Sequence, residues 1–222
     1  MAVQQDVRVY DVFFISYDEP HADTHWSLVK DRLPFARRVE GVEGIQSAHL
    51  HCCNQSRTPH FFVIDADNEV LDFTPFDYRV PTWDRDYVHL WFARNPVNGL
   101  EYGWGGLKLF PRSVFQRTGP RLDMTTSFPL KVMREVASVT HFNTSPYETW
   151  RSAFREAVKL SQNPSQEQQE WLRVWTSTAT GPHAEWSLRG AQEGREYGTD
   201  HKGDDLLVIN DYSWLKGRFH SL

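Results

Sequence analysis

The sequence has few cysteines, no long apolar run and no excess of positive charge, and each absence excludes a class of protein. Its only two cysteines, Cys52 and Cys53, are adjacent in a predicted helix, where a bridge between them would distort the backbone. A disulfide framework is therefore excluded, and a reducing compartment is expected. The net charge of −5 excludes a polycation, so any contact with nucleic acid has to come from a local basic surface.

The sequence also lacks the segments that direct a chain to a membrane. Its start, Met-Ala-Val-Gln-Gln-Asp-Val-Arg, has neither the basic nor the apolar region of a signal peptide, and no apolar run approaches the roughly 20 residues of a spanning helix. Internal repeats and low-complexity tracts are absent as well. We expect a soluble, cytoplasmic protein with no membrane partner, whose 222 residues form a single domain.

The first third of the chain alternates between strand and helix patterns. Continuous apolar runs with β-branched and aromatic residues indicate core strands, and apolar residues at helical spacing indicate the helices between them. The resulting β-α-β-α-β order predicts an α/β fold with a Rossmann-type wound sheet. The strand patterns lie at residues 7–16, 37–40 and 60–70, and the helix patterns are one that Pro34 ends and one at residues 45–56.

The third strand pattern stops at two carboxylates, Asp65 and Asp67. Ligands of open α/β sheets bind outside the carboxyl ends of the strands, so acidic groups at this point face a binding site. Two oxygen ligands two residues apart suit Mg²⁺ or Mn²⁺. The alternative is an Asp-rich turn that caps the next element and binds nothing.

The first strand pattern ends in a polar loop that begins at Ser16, a common place for a nucleotide in this fold class. Tyr17 offers a ring that can stack on a base, and Asp18 or Glu19 can accept from base N–H groups or ribose hydroxyls. An ordinary turn between a strand and a helix is equally compatible with these residues.

A hairpin follows in the middle of the chain. Residues 87–94 predict a strand, and Asn98 with Gly99 predicts a two-residue turn before the return strand. Gly105 and Gly106 then indicate either a close approach to the backbone or a bulge.

Helical signals dominate the C-terminal part. Ser145, Pro146 and Glu148 have the spacing of a capping box with proline at the first helical position. The exposed N–H groups of this helix start, with His141 and Asn143 before it, favour an anion, which is either a ligand or the carboxylate of the cap itself. The other predicted helices start at Ser165 and at Pro182, the second with interruptions at Gly190 and Gly194.

Basic residues are concentrated between residues 108 and 134, where Asp123 is the single acid. They form either a solvated face or a track for phosphate groups. Trp83, Trp91 and Trp104 are either core side chains or platforms that stack on an extruded base. The basic residues are Lys108, Arg112, Arg117, Arg121, Lys131 and Arg134.

Four stretches together resemble the glycosyltransferases of the GT-A fold. They are the loop at residues 16–19, the helix start at 44–48, the "DxD" pair of Asp65 and Asp67, and the glycines at 105–106. The resemblance implies a GT-A-like wound sheet with a helical C-terminal part, a UDP-sugar donor, and Mn²⁺ or Mg²⁺ as cofactor. It also implies a nucleotide-binding half, residues 1–70, and a donor-sugar and acceptor half, residues 71–222.

Two longer segments narrow this resemblance. Residues 94–112 (RNPVNGLEYGWGGLKLFPR) and 142–156 (FNTSPYETWRSAFRE) are similar to the phage TET-associated DNA glycosyltransferases. That family puts sugars on 5-hydroxymethylpyrimidines in DNA, so the implied acceptor is DNA that carries a hydroxymethylated pyrimidine. The similarity covers roughly residues 10 to 210, and these two segments are its most specific parts.

The resemblance also implies roles for individual residues. Asp67 would bind the metal, with Asp65 on the metal or the ribose and His141 as a further ligand or a diphosphate donor. Asp123 would take the proton of the acceptor hydroxyl in an inverting enzyme, or hold sugar hydroxyls in a retaining one; a helix cap is the alternative. Ser16, Tyr17, Asp18, Glu19 and Gly44 would contact the nucleotide, and Arg94, Gly105, Gly106, Lys108 and Asn143 the diphosphate or the sugar.

Three other functions remain open on the sequence. The first keeps the GT-A fold but changes the acceptor to a glycan, lipid or protein, which the acidic net charge favours. The second is a metal-dependent nuclease that uses Asp65, Asp67, Asp204 and Asp205. The third is a DNA-binding module without catalytic activity.

Overall fold

The protein is described by a computed structural model of residues 9–117 and 128–222. These residues form a mixed sheet of eight strands and six α-helices, arranged in two compact units. The first unit carries the sheet and two helices, and the second carries four helices. The first unit comprises residues 9–93, 102–117 and 128–139, and the second comprises residues 94–101 and 140–222.

The regular elements have the following bounds. The strands are β1 (Asp11–Ser16), β2 (Arg37–Glu40), β3 (His60–Asp65), β4 (Asn68–Val70), β5 (Val88–Arg94), β6 (Glu101–Tyr102), β7 (Lys108–Pro111) and β8 (Leu130–Thr140). The helices are α1 (Ala22–Arg32), α2 (Ile45–Gln55), α3 (Pro146–Leu160), α4 (Gln166–Ser177), α5 (Ala184–Asp200) and α6 (Tyr212–His220). Short 3₁₀ helices span Thr74–Asp77, Thr82–Asp84, Arg112–Arg117 and Gly203–Asn210.

Strands β1, β2 and β3 form a parallel half-sheet in the order β2-β1-β3. All six residues of β1 and the first five of β3 are buried, as their continuous apolar sequences predict. Helices α1 and α2 make the crossovers that parallel neighbours require. The predicted α/β class, with a Rossmann-type wound half and a helical C-terminal part, is confirmed.

The remaining strands extend the sheet in mixed orientation. Strand β7 lies antiparallel to both β3 and β5, and the full order is β2-β1-β3-β7-β5-β8-β4, with β6 beside β5. The predicted strand at 60–70 is divided, because the chain turns at Ala66 and Asp67. Strand β4 pairs with β8, at the other end of the strand order, so the acid pair lies where the chain leaves β3.

The hairpin predicted from Asn98 and Gly99 is present, but its turn is longer than two residues. The backbone N–H of Asn95 donates to Leu100 O at 2.8 Å, and that of Gly99 donates to Asn95 O at 2.9 Å. The Asn95 side chain also accepts from the N–H of Val97 at 2.9 Å. These hydrogen bonds pair the backbone N–H and C=O of Asn95 within the turn. The turn therefore extends from Asn95 to Leu100.

The prediction that Gly190 and Gly194 interrupt the last long helix is wrong. Helix α5 runs through both glycines, and both lie against helix α3. A Cβ at Gly190 would overlap the carbonyl oxygen of Trp150, and one at Gly194 would overlap that of Phe154. Tight helix packing therefore requires the glycines that helix propensity disfavours.

Two helix starts of the second unit, at Ser145 and Ser165, are those that the sequence predicts, whereas α5 begins at Ala184 and not at the predicted Pro182, and α6 is not predicted. Ser145 Oγ accepts from the N–H of Glu148 at 3.1 Å, and Ser165 with Gln168 forms a complete capping box. Trp150 and Phe154 stack in the apolar core of this unit. Over residues 9–117 and 128–222, no helix combines the length and the apolar character needed to cross a bilayer.

Candidate functional site

The carboxyl ends of the three parallel strands meet at one edge of the half-sheet. In the strand register, Ile15 pairs with Asp65 and Ser16 pairs with Glu40. The loop after β1 and the acid at the end of β3 therefore share this edge, as the wound fold predicts. We name this region the acid edge, defined by residues 16–19 and 65–69.

Asp65 is held by a buried lysine on the neighbouring strand. Lys108 Nζ lies 2.5 Å from Asp65 Oδ2, and the two side chains are only 8% and 22% exposed. Strand β7 places Lys108 opposite Val63 of β3, so its long side chain extends along the sheet to the strand end. Asp65 Oδ1 is buried and has no hydrogen-bond partner among the described residues, so it is an acceptor available to a ligand.

The turn after β3 is also fixed by side chains. Asn68 Nδ2 donates to Asp67 Oδ1 at 3.0 Å, and Asn68 Oδ1 accepts from Ser138 Oγ of β8 at 3.0 Å. Asn68 and Ser138 are both buried. Through Asn68, the orientation of the Asp67 carboxylate is thus set by β8, the strand that pairs with β4.

A histidine for which the sequence predicts no role supports the same turn. His25 of α1 is 7% exposed, and its Nδ1 lies 2.8 Å from the carbonyl oxygen of Ala66. A ligand atom of His25 and one of the Glu69 carboxylate lie within 4.8 Å of each other. Ala22, His25 and Val29 form the buried stripe of α1, so a polar residue on an apolar helical face is the signal that could have identified His25.

The loop after β1 is shaped by its own charged residues. Glu19 Oε2 accepts from the backbone N–H of Tyr17 at 2.8 Å, and Ser16 Oγ accepts from Arg38 Nε at 2.8 Å. Asp18 is exposed, and the Tyr17 ring is 54% exposed. A flat aromatic face is therefore presented to solvent beside the acid edge.

Two of the predicted glycines occupy backbone positions that favour glycine. Gly44 precedes α2 with a φ of 83°, and Gly105 has a φ of 66°. A Cβ at Gly106 would overlap the carbonyl oxygen of Trp91, whose N–H donates to Leu107 O at 3.0 Å. Of the two glycines, Gly106 makes the predicted close backbone contact, and the backbone that it contacts belongs to strand β5.

Other predicted site residues lie outside this edge or outside the described part. Arg94 Nε donates to Glu101 Oε1 at 2.8 Å in the second unit. His141 and Asn143 are half-buried between β8 and α3, also in the second unit. Asp123 lies outside the described residues. The roles predicted for these four residues stay predictions.

The predicted basic track is broken up where the structure describes it. Lys108 is buried against Asp65, Lys131 Nζ lies 3.5 Å from Asp84 Oδ2, and the Arg134 guanidinium lies over Phe92. Arg112 is exposed, and Arg121 lies outside the described residues. Contact of this stretch with DNA phosphates stays a prediction.

The tryptophans proposed for base stacking differ in exposure. Trp91 is 3% exposed and belongs to the core of the first unit. Trp104 is partly buried, whereas Trp83 is 80% exposed. Of the three, Trp83 therefore offers the ring most open to an aromatic ligand.

Comparison with known proteins finds similar solved structures but no matching family model. No protein-family model matches the chain, and no curated protein matches it. A solved structure of the mannosyltransferase PcManGT from Pyrobaculum calidifontis, in complex with GDP-Man and Mn²⁺, is similar with a TM-score of 0.46 and 10% sequence identity. The match covers 96% of this chain and 80% of that one. A likeness at this level supports no statement about activity.

Proposed function

We propose that the protein is a metal-dependent glycosyltransferase that moves a sugar from a UDP-sugar to the hydroxyl of 5-hydroxymethylcytosine or 5-hydroxymethyluracil in DNA. The observation that carries the proposal is the acid edge, where Asp65 ends β3 and Asp67 follows it, next to the loop after β1. Carboxylates at this edge of a wound sheet face the crevice in which such folds bind ligands. The sequence resemblance supplies the donor and acceptor classes.

The nucleotide is assigned to the loop after β1. The exposed Tyr17 ring stacks on the uracil, and Asp18 accepts from the base or the ribose. Asp65 Oδ1, buried and without a partner among the described residues, accepts from a ribose hydroxyl or binds the cation. Glu19 has a shaping role, because its carboxylate already accepts from the Tyr17 backbone.

The residues at the acid edge fit a divalent cation. Asp65 and Asp67 provide carboxylate oxygens, which are the donors that Mg²⁺ and Mn²⁺ prefer. A bound cation would neutralise the diphosphate that leaves as the sugar is transferred. Asn68 orients the Asp67 carboxylate, and Lys108 fixes Asp65. His141 stays a predicted further ligand.

The reaction forms a bond between the acceptor oxygen and the anomeric carbon while the bond from that carbon to the diphosphate oxygen breaks. The hydroxymethyl proton has to leave the acceptor oxygen, and a carboxylate is a suitable base for it. We assign this role to Asp123 in an inverting reaction. Arg94 and Asn143 are assigned to the diphosphate or the sugar.

A second acceptor class is favoured by one observation. The net charge of −5 disfavours a polyanion such as DNA and is compatible with a glycan, lipid or protein acceptor. The exposed Trp83 ring could stack on a base or on a sugar ring, so it does not distinguish a DNA acceptor from a glycan acceptor. Incubation with a UDP-sugar and hydroxymethylcytosine DNA, followed by mass spectrometry of the nucleosides, distinguishes them.

Thermal unfolding with UDP and Mn²⁺ tests the donor side of the proposal. We expect UDP to raise the melting temperature of the wild-type protein only when Mn²⁺ is present, because a ligand that binds the native state stabilises it. Asp67→Asn should abolish this shift, whereas Asp31→Asn, at an exposed position on α1, should keep it. A wild-type protein without a shift, or an unchanged shift in Asp67→Asn, would contradict the proposal.

A further inference from the structure

A nitrogen ligand and an oxygen ligand lie together on the side of the acid edge that faces α1. His25 projects from α1 toward the turn that follows β3, and Glu69 lies in β4, two residues beyond Asp67. A ring nitrogen of His25 and a carboxylate oxygen of Glu69 lie within 4.8 Å of each other. At this separation a single cation can contact both groups, since bonds to nitrogen and oxygen ligands are about 2.0–2.2 Å long.

The hydrogen bond of His25 fixes which of its nitrogens can bind a cation. Nδ1 lies 2.8 Å from the carbonyl oxygen of Ala66, and a carbonyl oxygen can only accept. Nδ1 therefore carries the proton, and in the neutral ring Nε2 carries the lone pair. Metal-binding histidines are usually oriented in this way, with the other ring N–H donated to a backbone carbonyl or a carboxylate.

Both residues of this pair are carried by elements whose neighbours are fixed. His25 is 7% exposed in the buried stripe of α1, so its ring has little rotational freedom. Glu69 follows Asn68, which is buried and bonded to Ser138 of β8. Both ligands are therefore carried by regular elements whose neighbours are fixed, and little ordering is needed when an ion binds.

We propose that His25 and Glu69 bind a divalent transition-metal ion. One imidazole and one carboxylate suit Mn²⁺, Co²⁺ or Zn²⁺ better than Mg²⁺ or Ca²⁺, which prefer oxygen ligands alone. Two protein ligands leave coordination positions for water or for an anionic ligand. Asp65 is a weaker ligand candidate than these two residues, because its Oδ2 is already paired with Lys108.

Ion binding by the chelator-treated 222-residue chain tests this inference without any sugar nucleotide. Titration with Mn²⁺, followed by the electron paramagnetic resonance signal of the free ion, measures affinity. The visible spectrum of the Co²⁺ form reports an imidazole ligand. We expect Glu69→Gln to weaken Mn²⁺ binding at least about tenfold and His25→Gln to weaken it and change the Co²⁺ spectrum.

Matched controls are available at exposed positions. His51→Gln on α2 and Glu43→Gln before α2 remove the same groups elsewhere and should leave affinity unchanged. Circular dichroism checks the fold of each variant. If His25→Gln does not fold, the Mn²⁺ affinity of the isosteric Glu69→Gln variant tests the inference by itself. Unchanged Mn²⁺ affinity in Glu69→Gln would overturn the inference.

The results can show the metal-site inference to be wrong without contradicting the proposed transferase, and the reverse. If Asp67→Asn removes Mn²⁺ binding while His25→Gln and Glu69→Gln keep it, the ion belongs to the Asp pair and the present inference fails, although the proposed transferase stands. If His25 and Glu69 bind the ion but UDP never binds, the metal site stands and the proposed function fails.

Discussion

Lys108 and Asp65 form a mostly buried ion pair at the end of the central parallel strand, with Nζ 2.5 Å from Oδ2. The two residues are 43 positions apart in the chain and meet because β7 lies antiparallel to β3. In a mostly buried setting, a charge that loses its partner is costly, whereas removal of both charges costs far less. Each charge therefore depends on the other, and the pair fixes the acid that the proposed donor site uses.

Replacement of the lysine alone should be strongly destabilising. In Lys108→Met we expect the free energy of unfolding to fall by roughly 3 kcal/mol, because Asp65 keeps its charge without a counter-ion. The double variant Lys108→Met with Asp65→Asn should recover much of this loss. Urea unfolding of the single and double variants measures the coupling.

The control for this prediction is Arg173→Met in helix α4. Arg173 pairs with Glu170, and the two side chains are 65% and 57% exposed, so water replaces the lost partner and the free energy of unfolding should stay nearly unchanged. Equal losses in Lys108→Met and Arg173→Met would show that burial does not strengthen the dependence of Asp65 on Lys108.

The sequence predicts the parts of this fold that local signals specify. Strand β2 has the predicted bounds Arg37–Glu40, α2 begins at the predicted Ile45, and the caps at Ser145 and Ser165 are those observed. Each depends on residues within a few positions of one another, namely apolar spacing or a side chain that caps the next turn.

The contacts that organise the candidate site are not local, and the sequence could not predict them. His25 meets the Ala66 carbonyl across 41 positions, and β4 leaves its neighbour β3 to join β8 at the far end of the sheet. Gly194 shows the same limit for helices. Its low helix propensity predicts a break, but packing against Phe154 determines the outcome.

Two glycine variants in the second unit distinguish the effect of helix packing from the effect of helix propensity. Gly194→Ala should lower the free energy of unfolding by about 1–3 kcal/mol, because the new methyl group would overlap the backbone of Phe154. Gly217→Ala in α6 is the control, since a methyl group added there meets no heavy atom within 4 Å, and it should gain up to about 1 kcal/mol from helix propensity. A gain in both variants, measured by urea unfolding, would contradict close packing of α5 on α3.

The exposed Trp83 gives a prediction for the acceptor. Base stacking on an aromatic side chain contributes about 1–3 kcal/mol, so Trp83→Ala should weaken binding of single-stranded hydroxymethylcytosine DNA about tenfold or more. Leu71→Ala, which removes another exposed apolar side chain, should leave the affinity unchanged. Fluorescence anisotropy with a labelled oligonucleotide measures both. Equal affinities for wild type and Trp83→Ala would remove Trp83 from the acceptor site.

His89 makes the stability of the first unit depend on pH. Burial, and secondarily the charge of His60, lowers the pKa of His89 from 6.5 to about 4, with Asp84 acting in the opposite direction. Between these two values the unfolded chain binds a proton that the native state does not, so the free energy of unfolding falls as the pH is lowered through this window. Burial also lowers the pKa of His60, which adds to the effect in the same direction.

The variant His89→Phe tests this dependence, because phenylalanine keeps an aromatic ring beside Tyr78 and removes the titrating group. A pKa difference of this size corresponds to about 3 kcal/mol when the pH falls from above 6.5 to below 4. We expect wild type to lose more stability than His89→Phe when urea unfolding is compared at pH 7 and pH 5. Parallel losses in the two proteins would show that His89 is not the group responsible, and that the acid sensitivity of the fold comes from other residues.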